Sequence, residues 1–344
     1  MRLPPTSQAC NVPRLSPLDY IAKNLPRKDL RDRVATRRAF LMPVANGASA
    51  AASLVPTEEG PLPTIDLTAK VWFEHVHKAS GKSFLADVGA ATRRCDPLSS
   101  CCNITDDLQR VRRWWFAETK DCTLQTSETA LPTVLRLMHE STPAAELVSS
   151  GLGTVEPALL SMYRHPIERC RSHWSFQNQV AGCAESPKRP SCRRIQALFP
   201  DTPAGHRRFV EQKCSDHTSA QYELEFGLTR PGGVFEWIQR NVPFWGITES
   251  YRASMCLLWF QASQPVRFAG CSCADAANST THLGPHGESG VSPLSLSDAE
   301  LEKANVRDLA LYALLRSSFE RRVRLVEQHT RTSFLCSEHP LGSA

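Results

Sequence analysis

Ala158-Leu159-Leu160-Ser161-Met162-Tyr163-Arg164-His165-Pro166 is the stretch on which the fold turns. Ala158 to Tyr163 is a short apolar run of the kind buried in a parallel sheet. Pro166 stands where a helix would begin, at a position that loses nothing by lacking an N–H, and Ile167 to Trp174 continue as helix. Arg164 therefore falls at the carboxyl edge of a strand, where open α/β sheets bind ligands. Ser172 follows about two helical turns in, within reach of the same anion. A guanidinium fork plus a hydroxyl suits a phosphate monoester; the same arginine also reads as a surface residue pairing locally.

Upstream, Val71-Trp72-Phe73-Glu74-His75-Val76 reads as a buried strand, His77 to Lys82 breaks the pattern, and Ser83 to Val88 resumes as helix. Strand, small-residue loop and helix together present backbone N–H groups and a helix dipole to a phosphate. Lys78 and Lys82 add charge and Ser83 a hydroxyl. The alternative is an ordinary βα turn with solvated lysines. His75 and His77 share a face, but two histidines without a third ligand read as structural. Downstream, Val242 to Glu249 reads as a strand ending in a polar turn, Tyr251 to Phe260 as an apolar helix, and Cys271 to Pro293 as a loop. Ser297-Asp298-Ala299-Glu300 is a capping box. After Asn305, a stripe of Leu311, Leu315, Phe319, Val323 and Val326 predicts a helix packed on the sheet, with Arg316, Arg321, Arg322 and Arg324 mostly on other faces. The expected fold class is α/β, with a central, mostly parallel sheet flanked by helices.

The chain has 344 residues, 41% hydrophobic and 22% charged, enough to bury a core unaided. Its apolar runs are core-sized, which excludes a multispan membrane protein. The net charge of +5 is carried by residues 1–40, so the body gives no sign of a nucleic-acid binder. Residues 1–65 are set apart as a leader, targeting or stem segment. Thr36-Arg37-Arg38-Ala39-Phe40-Leu41 has a twin-arginine look, the basic prelude before it resembles an organellar transit peptide, and a plain disordered leader fits equally. Residues 66–335 are expected to form one domain, with a Cys-rich insert at about 177–235. The 13 cysteines lack zinc-site spacing. With the sequons Asn103-Ile104-Thr105 and Asn278-Ser279-Thr280 they lean toward an oxidising secretory lumen.

Gly81-Lys82-Ser83 has the ending of a Walker A loop, but Val76 occupies the position of its first glycine. The later strand ends in Arg164, where an NTPase would place a magnesium-binding aspartate. Two phosphate-binding turns without a metal carboxylate fit a nucleotide carrying phosphates at two places.

At this point the residues resemble the Golgi carbohydrate sulfotransferases, above all the heparan sulfate 2-O-sulfotransferase type. Val76-His77-Lys78-Ala79-Ser80-Gly81-Lys82-Ser83-Phe84 is similar to their P-loop-kinase-like 5′-phosphosulfate loop. Tyr163 to Trp174 is similar to their 3′-phosphate motif, an Arg-Asp-Pro turn followed by a second Arg and a Ser. Trp245-Gly246-Ile247-Thr248-Glu249 resembles their Gly-x-Thr-Glu segment, and Asn305, Asp308, Leu311, Tyr312 and Phe319 their closing helix. The resemblance runs in matching order from about residue 70 to 327.

The resemblance implies the donor 3′-phosphoadenosine 5′-phosphosulfate, no metal, and sulfuryl transfer to a hydroxyl of a glycan, or alternatively of protein tyrosine or a small alcohol. It implies that Lys78 contacts the phosphosulfate bridge, that Ala79, Ser80, Gly81, Lys82 and Ser83 cradle the 5′-phosphate in a loop running through Phe84, and that Arg164 and Ser172 hold the 3′-phosphate. For the general base it points to Cys122 to Glu128, a stretch loosely similar to the active-site approach of plant tyrosylprotein sulfotransferases. Glu128 is the first candidate and His139 the second; Glu128 also reads as a solvated loop carboxylate. His165 stands where the family has an aspartate, so a capping carboxylate is missing and the turn is expected to be looser. Lys82 and His77 depart from the pattern as well.

Lys188, Arg189, Arg193, Arg194, Arg207 and Arg208 make the insert the expected acceptor wall, suited to an acidic polysaccharide or simply solvated. The resemblance implies the Golgi lumen, whereas the leader leaves a plastid as the alternative. A P-loop kinase or NTPase, and a binding module without a working base, are the competing functions.

Overall fold

The computed structural model describes residues 62–67, 69–74, 83–85, 87–88, 124–127, 133–135, 157–180, 183, 186–273 and 293–336. All of them belong to the unit Pro43–Ala344. Among the described residues four strands form the sheet: β1 (Val71–Glu74), β2 (Leu124–Ser127), β3 (Ala158–Tyr163) and β4 (Phe244–Ile247). Their order is β2-β1-β3-β4, and every pairing is parallel. Such strands are covered on both faces, which is why they read as continuous apolar runs. Trp72, Phe73, Leu160, Phe244 and Trp245 are all at most 1% exposed, each burial stabilising by about 2–3 kcal/mol.

Parallel pairing puts the carboxyl ends of all four strands on one edge. In register, Glu74 lies opposite Ser127 and Ser161, and Tyr163 opposite Ile247. From β1 the chain passes to β2 on one side and then to β3 on the other. The topological switch point, where such sheets bind ligands, is therefore between β1 and β3.

Nine helices are described in full: α1 (Pro166–Val180), α2 (Pro190–Leu198), α3 (Pro203–Lys213), α4 (His217–Phe226), α5 (Pro231–Asn241), α6 (Tyr251–Gln261), α7 (Pro265–Phe268), α8 (Asp298–Ala304) and α9 (Val306–Thr330). Proline opens five of them, where its fixed φ is already helical and its missing N–H costs nothing. Residues 83–85 and 87–88, after β1, are helical too. Phe84 there stacks on Phe73, ring centroids 4.1 Å apart. The capping box forms: Ser297 accepts from the Glu300 amide, and the Glu300 carboxylate accepts from that of Ser297.

The main core lies between the sheet and α4, α5, α6 and α9. The expected stripe on α9 is buried throughout, but Arg322 departs from the expectation for its arginines. It is 6% exposed, with its guanidinium 4.0 Å from the centre of the Trp245 ring and Nη2 donating to the Pro243 carbonyl. Burial pulls its pKa down to about 9. A second core joins Ile167, Cys170 and Trp174 of α1 to Phe199, Phe209, Val210, Leu294, Leu296 and Leu301. The segment at 177–235 is thus largely helical, with α2 and α3 packed onto α1 and α4 and α5 onto α9.

Disulfides join Cys170 to Cys214, Cys183 to Cys192, Cys256 to Cys271 and Cys273 to Cys336. These four crosslinks fit an oxidising, secretory-type environment. Among the described residues no helix is long and apolar enough to cross a membrane.

Gly246 fixes the distance between β4 and α6. A Cβ there would lie 2.6 Å from the Met162 sulfur and 2.7 Å from the Ser254 Cβ. The same closeness lets Ser254 Oγ accept from the Ile247 amide and donate to the Ile247 carbonyl. Gly246→Ala is expected to destabilise the protein by about 1–3 kcal/mol through overpacking, read as a lower melting temperature. An unchanged melting temperature would show that the contact yields freely.

Candidate functional site

The site is built where β3 gives way to α1. Arg164 and His165 form the turn between them, both half-buried. Arg164 lines a cleft at the sheet's carboxyl edge with Tyr163, Arg169, Thr218, Asp308 and Tyr312. The cleft therefore gathers residues from β3, α1, α4 and α9.

Arg169, one turn into α1, is the buried cation of this group. Its Nη2 donates to Asp308 Oδ2 and to the Cys214 carbonyl, both at 3.2 Å. Burial lowers its pKa, and the carboxylates of Asp308 and Asp216 oppose that shift. Asp308, 3% exposed, also accepts from the amides of Thr218 and Ser219 at 3.0 and 2.8 Å. Those are orphan donors of α4's first turn. Asp216 returns the contact, accepting from the amides of Arg307 and Asp308 at the start of α9, at 2.8 and 3.0 Å. Each helix thus takes its N-terminal carboxylate from the other, which suits both dipoles. Arg307 adds an ion pair to Glu223 at 2.6 Å.

Glu249 reaches the turn from the far end of β4. Its Oε1 accepts from the His165 amide and its Oε2 from the Tyr312 hydroxyl, each at 2.9 Å. Burial, then the Glu249 charge, raises the Tyr312 pKa above the phenolic range. The turn expected to be loose for want of an aspartate at 165 is held by a carboxylate from the turn that follows β4. Deeper in, Glu74, 4% exposed at the end of β1, accepts from Ser161 Oγ at 2.8 Å. Burial, with the Glu74 charge second, raises the pKa of Tyr163.

Of the residues expected to hold ligand, Arg164 stands at the cleft. Ser172 is half-buried on α1 and does not line it. Ser83 is half-buried in the helix after β1, and the Phe84 ring belongs to the core. Lys78, Ala79, Ser80, Gly81, Lys82, Glu128 and His139 lie outside the described residues. In sequence, Glu74 ends β1 four residues before Lys78, and Ser127 ends β2 directly before Glu128. Among the described residues no cluster of three His, Cys, Asp or Glu side chains could hold a metal ion.

Lys188, Arg189, Arg193, Arg194, Arg207 and Arg208 are all exposed, on or beside α2 and α3. Arg207 is paired with Glu300 at 3.1 Å, so the wall is not uniformly free charge. Sequence reasoning passed over Asp201, His206 and Ser295. His206 Nε2 lies 2.9 Å from Asp201 Oδ1, and Nδ1 lies 2.7 Å from Ser295 Oγ. The order resembles a Ser-His-Asp triad, but Nδ1 also accepts the Ser295 amide at 2.9 Å. That lone pair is occupied, so His206 pins residues 293–297 to α3 and does not serve as a base.

The sequence matches no protein-family model and no curated protein.

Because Arg169 and Asp308 are buried together, removing either leaves an uncompensated charge. Asp308→Ala and Arg169→Met are each expected to cost about 3–5 kcal/mol in urea unfolding, and the double variant clearly less than their sum. Additive losses would show that the pair is not coupled.

Proposed function

We propose that this chain is a sulfotransferase of the secretory pathway that moves the sulfuryl group of 3′-phosphoadenosine 5′-phosphosulfate to a glycan hydroxyl. The observation that carries this reading is Arg164 in a cleft at the carboxyl end of β3, one of the two strands that flank the β1/β3 switch point. The ordered motifs from Lys78 to Tyr312 agree with it, and a half-buried guanidinium at the head of α1 is chemically suited to a phosphate dianion. The four disulfides suit a lumenal enzyme, the Golgi in this reading.

Arg164 and Ser172 would hold the 3′-phosphate, and the loop from Ala79 through Ser83 to Phe84 would cradle the 5′-phosphate in the manner of a P-loop kinase. Lys78 would neutralise charge on the bridging oxygen as the S–O bond breaks. Glu128, or else His139, would take the acceptor's proton as its oxygen bonds to sulfur, leaving adenosine 3′,5′-bisphosphate. Positioning and fixed positive charge supply most of the rate in such a displacement. Residues 66–335 form the catalytic domain in this proposal, and residues 1–65 a leader or stem. The exposed cations around α2 favour an acidic polysaccharide as acceptor.

Adenosine 3′,5′-bisphosphate at a hundred times its dissociation constant should stabilise the folded chain by about 2.7 kcal/mol, read as a raised melting temperature. Arg164→Ala should weaken its binding roughly thirtyfold, the loss of about 2 kcal/mol of charge-assisted hydrogen bonding. Labelled-sulfate transfer to a glycan panel should disappear in Lys78→Ala. Stabilisation by magnesium and ATP instead would replace this reading with a nucleotide kinase or NTPase.

A further inference from the structure

We propose that Glu249 is a positioning residue for the 3′-phosphate clamp, and that it sets how strongly the chain prefers a nucleotide carrying a 3′-phosphate. The inference rests on the donor assignment proposed above. Pro166 has no N–H, so the His165 amide is the last backbone donor of the turn before α1. Glu249 Oε1 takes that amide at 2.9 Å. β3 and β4 end in register, Tyr163 opposite Ile247, which brings His165 and Glu249 level, each two residues further on.

Glu249 is itself held from two sides. Tyr312 donates to its second oxygen at 2.9 Å and packs edge-on against the His165 ring, with centroids 5.2 Å apart. Behind it, Ser254 Oγ grips both backbone groups of Ile247. With each of its oxygens committed to a donor, the carboxylate is fixed against the backbone of the turn that carries Arg164. Its role is to keep Arg164 aimed without touching the nucleotide.

The test is calorimetric titration of the full chain with adenosine 3′,5′-bisphosphate and with adenosine 5′-monophosphate, alongside melting temperatures. The wild type should prefer the 3′-phosphorylated nucleotide. Glu249→Ala should reduce that preference roughly tenfold, the scale of one charge-assisted hydrogen bond, chiefly by weakening the bisphosphate. Tyr312→Phe, which keeps the carboxylate but frees one oxygen, should fall between the two, and Glu249→Gln, whose carbonyl can still accept the His165 amide, should recover most of the loss. If the folded variants keep the wild-type preference, this inference is overturned and the donor assignment stands. If the wild type itself shows no preference, both are overturned.

Discussion

The buried carboxylate of Asp308 is the constraint around which the rest of the molecule is arranged. One side chain neutralises Arg169 of α1, closes the first turn of α4 and belongs to α9. It therefore fixes three helices that the chain order keeps far apart. Desolvating a carboxylate costs several kcal/mol, so such a group persists only when its oxygens are fully engaged. Asp308 accepts from three donors, and its own amide is held by Asp216. The Cys170–Cys214 disulfide closes the same knot, since Cys214 also lends Arg169 its carbonyl.

Around that knot the sheet does a different kind of work. Its strands are short and entirely parallel, so their ends form a single edge. Two residues that leave this edge meet at the turn: Arg164 after β3 lines the cleft, and Glu249 after β4 accepts from the next amide along, that of His165. The second core, under α1 and α3, backs the same helix from outside. Arg164 thus sits on a turn braced from the sheet, from α9 and from the helical segment at 190–241.

Much of this was legible in the chain itself. β3 follows from an unbroken apolar run closed by Arg164-His165-Pro166, and α9 from a stripe at helical spacing. The capping box at Ser297 and Glu300 is a purely local signal and forms as written. What escaped notice depends on residues distant in sequence. Asp216 stands directly before α4, yet its carboxylate serves α9, about 90 residues on. Arg322 falls beside the stripe, and only the face of Trp245 beneath it explains why a cation is buried there. The helices between 190 and 241 are hidden by mixed charge and cysteines, because the apolar face of α3 completes a small second core while those of α4 and α5 join the main one. At the site, the turn at Arg164 was readable, whereas the support from Glu249 depends on β4 lying next to β3. The proposed roles of Lys78, Glu128 and His139 fall outside the described residues.

The Cys273–Cys336 bond has a consequence for how damage to this protein would be seen. It encloses everything from residue 274 to residue 335 in a covalent ring, including the Asn278 sequon and all of α9. A protease that cuts once inside that ring severs the backbone but releases nothing. The clipped chain keeps its full mass on a non-reducing gel, and the wound shows only after a thiol is added.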